Sequence, residues 1–280
     1  MSTVDGRAAV IFDTARRELD QLGGQYARPP MERWSPVPEP LDQAIAADRV
    51  LWSTAMRARQ NLALQIAARL EKLIPRDDVA RFTTALIAVP RERFVLPEDI
   101  GTSDDDAPSP LDQAGLATVS APHAYVLTYA LLGLGEGDHL VELGTGTGYG
   151  AALASHVVGP TGAVTSIEID PVLHERARRL LASSDAHGSA PITLIPGDAA
   201  ALAPDVLARV AADSRPIRVA VTYALAQTPE AILARLPEGG RLVAPVGAGN
   251  EDQRLLSWTR EHGALRQGSH GAVRYVTERR

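Results

Sequence analysis

Four glycines at alternate positions, 144, 146, 148 and 150, follow directly on the apolar run 139–143 and lead into a helical pattern over 149–157. Alternate glycines let a backbone turn sharply at the end of a strand and leave room for a ligand against the main chain. The helix that follows presents its first amide groups to that ligand. Strand, glycine turn and helix in that order belong to an open α/β sheet, where ligands bind beyond the carboxyl ends of the strands at a switch point.

The chain beyond residue 120 repeats that grammar. A helix is predicted over 125–132, then strands over 139–143, 163–169, 192–195, 217–222 and 241–245. Helices over 149–157, 171–181, 204–212 and 229–236 alternate with them, and Pro171 suits a first helical turn. Repeated βα units imply a mostly parallel sheet with helices on both faces. Residues 255–258 and 273–276 are candidates for antiparallel edge strands. Before residue 120 the texture differs. A helical pattern with Val10, Ile11, Leu19 and Leu22 runs into the proline-rich stretch ARPPMERWSPVPEP, which favours extended linker geometry. Helical spacing returns over 41–89, broken at Pro75, with Asp77 and Asp78 as caps for a second helix. Residues 97–117 are rich in Pro, Gly, Asp and Ser and are expected to form a loop. The chain therefore divides into a helical N-terminal extension, residues 1–60, and an α/β domain, residues 61–280.

Composition narrows the function by exclusion. The net charge of −6 offers no general footprint for nucleic acid or an anionic membrane. Cysteine is absent, which removes disulfides, thiolate metal sites and thiol catalysis and suits a reducing compartment. No stretch approaches the ~18 consecutive apolar residues that a membrane helix needs. A soluble, cytoplasmic protein is expected. Asp104-Asp105-Asp106 is read as a solvated loop, since no second ligand cluster stands at fitting spacing, and no metal is expected.

Glycine loops serve more than one cofactor. Gly146-Thr147-Gly148-Tyr149-Gly150-Ala151 fits the dinucleotide pattern, and Glu168 stands where a ribose-binding acid is expected. Two residues argue for S-adenosylmethionine instead. Glu142 sits inside the apolar strand, where a carboxyl is costly unless it has a task; in methyltransferases an acid there lies close to the methionine end of the cofactor. Asp198, after the third strand, is placed to accept a hydrogen bond from an adenine amino group. The cofactor set is then Glu142, Gly144, Thr145, Gly146, Gly148, Glu168, Ile169, Asp198 and Ala199, in a Rossmann-like class I methyltransferase fold.

The blocks AVPRERFV (88–95), ATVSAPHAYVL (117–127), VELGTGTGYGAALA (141–154), SIEIDP (166–171) and RLVAPVG (241–247) resemble the protein-L-isoaspartate O-methyltransferase family and keep its order. The resemblance covers about residues 60–280 and implies S-adenosylmethionine-dependent methylation of a peptide or protein carboxylate. In that family the α-carboxylate of an isoaspartyl residue is esterified, and the ester closes to a succinimide. Such chemistry suits a site without an obvious general base, because a carboxylate with a pKa near 4 is already a nucleophile at neutral pH. By resemblance, Ser120 positions the attacking carboxylate, and Thr118, Val119, Ala121 and His123 shape the same wall. Ser120 also stands where a helix cap would, just before Pro122.

Departures from the family pattern leave the substrate open. Tyr223-Ala224-Leu225 stands where the family carries small alanines, so Tyr223 and Leu225 would reshape the substrate pocket, and Ile217 replaces a usual aspartate. The N-terminal extension is either an accessory helical cap or dimer element, or a dock for a dedicated peptide. Relatives that methylate one aspartate of a ribosomally made peptide, giving an aspartimide, supply a second reading. A third is an inactive, cofactor-binding partner protein, against which the retained Glu142, glycines, Glu168, Asp198 and Ser120 argue. Oligomeric state has no signature in the sequence.

Overall fold

The protein is described by a computed structural model covering residues 49–112, 117–182, 189–248 and 253–278, with side chains from residue 55. The helical pattern and proline-rich stretch expected before residue 41 lie outside the described residues. The rest forms two compact units. One holds the described residues up to Val126 together with Thr147–Tyr149 and the segment from Glu175; the other holds the remainder.

In the first unit, helix α1 (Arg49–Leu70) packs against helix α2 (Arg76–Ala88). Ala55, Ala58, Leu62, Ile66 and Leu70 recur at three- and four-residue steps and are buried, as an amphipathic stripe requires. Phe82, Ala85 and Leu86 fill the same role in α2. Pro75 occupies the α2 N-cap and makes no side-chain cap bond. Asp77 and Asp78 therefore serve as first-turn acids against the helix dipole, not as the caps expected from sequence. The stretch expected as plain loop is more regular than its composition suggests. It contains a 3-10 helix (Pro97–Thr102), and strand β1 (Ser109–Pro110) pairs antiparallel with β2 (Thr118–Val119).

The second unit carries the sheet. In chain order its strands and the neighbouring helices are α3 (Pro122–Leu132), β3 (His139–Leu143), α4 (Tyr149–Val158), β4 (Ala163–Glu168), α5 (Pro171–Ala182), β5 (Ile192–Pro196), α6 (Ala199–Val210), β6 (Ile217–Val221), α7 (Glu230–Leu233), β7 (Arg241–Val246), β8 (Gln253–Glu261) and β9 (Ala264–Val273). The sheet order is β5-β4-β3-β6-β7-β8-β9, parallel through β7 and antiparallel from there. Val141, Leu143, Val219, Val221, Leu242 and Ala244 form a core with Ala203, Val206 and Leu207 of α6 and Ile232 and Leu233 of α7. Strand alternation turns Leu140, Glu142, Val164 and Ser166 to the opposite side, where they are buried too.

Three expectations need correction. Helix α6 starts at Ala199, five residues before the expected start at 204, because Asp198 caps it; Pro204 lies inside the helix. The helix expected over 229–236 shortens to α7, with Pro229 as its N-cap. The strand expected over 273–276 ends at Val273 instead, and β8 and β9 are longer than predicted. They join through His262 (φ 53°) and Gly263 (φ 77°), the two left-handed residues that a tight hairpin turn requires.

Candidate active site

The carboxyl end of β3 meets the switch point of the sheet, since β4 and β5 extend from it one way and β6 and β7 the other. Gly144 takes φ +96°, and a Cβ there would collide with Thr222 Oγ1 and lie 2.9 Å from Cδ1 of Tyr223. Only glycine fits that approach. The Thr222 hydroxyl reaches the carbonyls of Leu143 (3.0 Å) and Gly144 (2.7 Å), tying the turn to the end of β6. Glu168 accepts the Gly146 N–H through Oε2 (2.8 Å) and the Asp170 N–H through Oε1 (3.0 Å). The end of β4 thus shapes the glycine turn directly.

Glu142 is enclosed. Ser166 Oγ donates to its Oε2 at 2.6 Å, and the Thr145 hydroxyl lies 2.6 Å from Ser166 Oγ. A serine hydroxyl has one proton, so Thr145 donates to Ser166 and Ser166 to Glu142. Burial, with Glu168 nearby, pushes the Glu142 carboxyl up to about 8 against the opposing Ser166 bond. Two carboxyls near one glycine turn suit a cofactor that carries positive charge, as the sulfonium and ammonium of S-adenosylmethionine do, because such a charge would favour the ionised form of the enclosed one.

Ile169 and Asp198 border the same strand ends. Ile169 is half-buried, and Asp198 is exposed and spends one oxygen on capping α6 through the Ala200 N–H (2.8 Å). Ala199 is buried behind it. Tyr223 is half-buried against the core, its phenol pushed up by burial and by the carboxylates of Glu278, Asp198 and Glu168. Leu225 is buried in the core, its N–H bonded to Pro245 O at 3.0 Å. The segment between them is pinned from the C-terminal side. Ala224 N–H donates to Val276 O (2.7 Å), Glu278 N–H returns to Ala224 O (3.1 Å), and the Gln253 amide holds both polar groups of the Tyr275 main chain.

The first unit contains the serine motif. Thr118, Ser120 and His123 are half-buried, while Val119 and Ala121 are turned inward. The Ser120 N–H donates to the Tyr125 hydroxyl (3.2 Å), and its carbonyl accepts from Arg91 (3.4 Å). Arg91 is itself buried and holds the carbonyls of Ser103, Asp105 and Ala107, so one guanidinium fixes the approach to Ser120. Tyr125 stands edge-on to Tyr149 (centroids 5.4 Å, 87°), the residue after Gly148. Gly148 lies against Leu181, 3.0 Å from where a Cβ would stand. Among the described residues the Ser120 hydroxyl makes no hydrogen bond, and the helix-cap alternative does not hold. The first N–H of α3 is taken by Asp106 Oδ1, which accepts from His123 at 3.0 Å.

Asp106 is therefore an exception to the reading of 104–106 as solvated loop, in which Asp105 is exposed. The Asp106 carboxylate also takes His123 Nδ1 (2.8 Å) and Arg69 (2.5 Å), and burial pushes the neighbouring Asp104 carboxyl up. Among the described residues no group of three His, Asp or Glu side chains is placed to hold a metal ion. No helix among them is long and apolar enough to cross a membrane. Thr222, Ser166, Tyr125 and Asp106 are the participants that sequence reasoning missed. Only Thr222 had a signal, its position at the end of the strand that joins β3 at the switch point.

Comparison with known proteins agrees with that geometry. Residues 60–279 match the family described as Protein-L-isoaspartate(D-aspartate) O-methyltransferase (PCMT). A protein-L-isoaspartate O-methyltransferase of Methanothermobacter thermautotrophicus is 35% identical over 173 residues, covering 61% of this chain and 74% of the relative. One from Methanococcus maripaludis is 32% identical over 215 residues, 76% of this chain and 94% of the relative. A solved protein-L-isoaspartate O-methyltransferase superposes with TM-score 0.62 at 24% identity, covering 79% of this chain and 65% of that one. A putative one from Plasmodium falciparum, in complex with S-adenosyl-L-homocysteine, gives TM-score 0.62 at 18% identity over 78% of this chain and 97% of that one. These two superpositions bear on the class I methyltransferase fold. The chain belongs to the protein-L-isoaspartate(D-aspartate) O-methyltransferase family and is an S-adenosylmethionine-dependent carboxyl O-methyltransferase.

Proposed function

We propose that the chain esterifies the α-carboxylate of isoaspartyl residues in peptides or proteins, and that the ester then closes to a succinimide. The observation that carries this reading is the Ser120 hydroxyl, which has no hydrogen-bond partner among the described residues while both main-chain polar groups of Ser120 are held. A rigid serine with an uncommitted hydroxyl suits a group that orients a carboxylate, which needs no general base because it is ionised at neutral pH. S-adenosylmethionine supplies the activated methyl group when bound. Glu142, Gly144, Thr145, Gly146, Gly148, Glu168, Ile169, Asp198 and Ala199 are proposed to hold that cofactor. Thr118, Val119, Ala121, His123, Tyr223 and Leu225 are proposed to shape the substrate side, Leu225 from within the core. The protein's part is to bind, orient and exclude water. Residues 61–280 are proposed as the catalytic domain and residues 1–60 as an extension serving substrate docking or assembly, in a cytoplasmic setting.

A second reading is a dedicated enzyme that methylates one aspartate of a single peptide. Tyr223 favours it, since its ring fills space beside Gly144 where the family carries a small side chain. Incubation with an isoaspartyl peptide and its aspartyl twin, with methyl ester read by mass spectrometry, separates the two. Repair predicts esterification of the isoaspartyl peptide alone. Methylation of neither generic peptide by a chain that binds S-adenosylmethionine would favour the dedicated enzyme, and absence of cofactor binding would remove every enzymatic reading.

A further inference from the structure

Asp106 receives two hydrogen bonds from one residue. Its Oδ1 accepts the main-chain N–H of His123 at 3.0 Å and faces the ring Nδ1 at 2.8 Å, while Oδ2 takes Arg69 of α1 at 2.5 Å. Burial pushes the Asp106 carboxyl up, but the His123 bonds and the Arg69 charge outweigh it and hold the group below its ordinary value. An ionised carboxylate only accepts, so the proton between the two side chains sits on Nδ1. One carboxylate oxygen thus takes both the main-chain N–H and the ring Nδ1 of His123, which fixes the tautomer and holds the ring toward its own backbone amide. Among the described residues nothing bonds to Nε2, and the His123 side chain keeps 29% of its surface exposed.

We propose that Asp106 is a positioning residue that locks His123 as the Nδ1–H form and leaves Nε2 as the ring nitrogen that meets the peptide substrate. The substrate half of this inference rests on the isoaspartyl reading above; the hold on the ring does not. A carboxylate kept only to cap α3 would need the main-chain bond and nothing more. Here the same oxygen also meets the ring, and Arg69 anchors the other oxygen, so the carboxylate is held in place against the imidazole as well as at the helix start.

The test uses the full chain labelled with nitrogen-15 at histidine, with His123 assigned from His123→Ala. In the wild type with S-adenosylhomocysteine bound, neutral His123 should show the proton on Nδ1, and an isoaspartyl peptide should move the Nε2 resonance. Asp106→Ala should release the ring toward the Nε2–H form common in water. It should also raise peptide KM roughly tenfold or more, the scale of a lost hydrogen bond to a charged group, with cofactor affinity unchanged. Asp106→Asn keeps an oxygen for both donors and should retain fold and tautomer, which carries the test if the alanine variant does not fold. Adding Asp106→Ala to His123→Ala should cost nothing further in KM. A wild-type ring protonated on Nε2, or an equal loss from Asp106→Ala without His123, overturns the proposal. Failure to methylate any isoaspartyl peptide, with the Nδ1–H ring intact and Nε2 unmoved, would overturn the substrate half and the isoaspartyl reading while leaving the hold on the ring in place.

Discussion

Glu142 keeps its proton up to about pH 8 in the folded chain, whereas an unfolded glutamate ionises near 4.5. Between those values the folded chain binds a proton that the unfolded chain has released. The contribution of this group to stability is therefore greatest below 4.5 and is lost as pH rises through about 8, at most about 1.4 kcal/mol per pH unit. Glu142→Gln stays neutral throughout. Urea midpoints of the cofactor-free protein should accordingly shift in favour of the variant across that window, and a difference independent of pH would mean that Glu142 is ionised in the fold. Glu168 calls for a separate measurement, because it supports the Gly146 and Asp170 amides. Glu168→Ala should weaken S-adenosylmethionine binding by about 1.5–3 kcal/mol in calorimetry, and unchanged affinity would deny it a role at the loop. Ser120→Ala should lower turnover and leave cofactor affinity nearly as it was, since its hydroxyl supports nothing else among the described residues. A comparable loss of cofactor affinity would argue against the substrate role.

At the scale of elements, α6 carries a local contradiction. Pro204 removes a helical N–H that would otherwise meet the Ala200 carbonyl, and a proline there is costly. Pro204→Ala should raise the thermal midpoint, by an amount corresponding to as much as about 3 kcal/mol. No change would mean that packing of the ring repays the missing bond. The same proline explains why sequence reading starts this helix late: it suits a first turn, and the actual cap, Asp198, reads in the sequence as a partner for adenine. Strand β3 and its glycine turn are legible because apolar run, turn and helix follow within about twenty residues and all their signals are local. The pairing of Ser166 with Glu142 is not, because strand register sets it. Asp106 and His123 are still harder to foresee, being 17 residues apart and joined by the fold of the intervening β1–β2 pair.

For the molecule as a whole, alternating βα texture suffices to predict a mostly parallel sheet, and family blocks spread from residue 88 to 247 add the chemistry. Composition says little about Tyr223 or about the β8–β9 hairpin, which is longer than its sequence predicts. The bond from Thr222 to the Gly144 carbonyl spans 78 residues of sequence. At ribosomal rates of about 5–20 residues per second, that separation corresponds to roughly 4–16 seconds between synthesis of the glycine turn and arrival of the hydroxyl that braces it. A nascent chain thus makes its ligand loop long before it can hold the loop in shape, and capacity for the cofactor should appear only after β6 has left the ribosome.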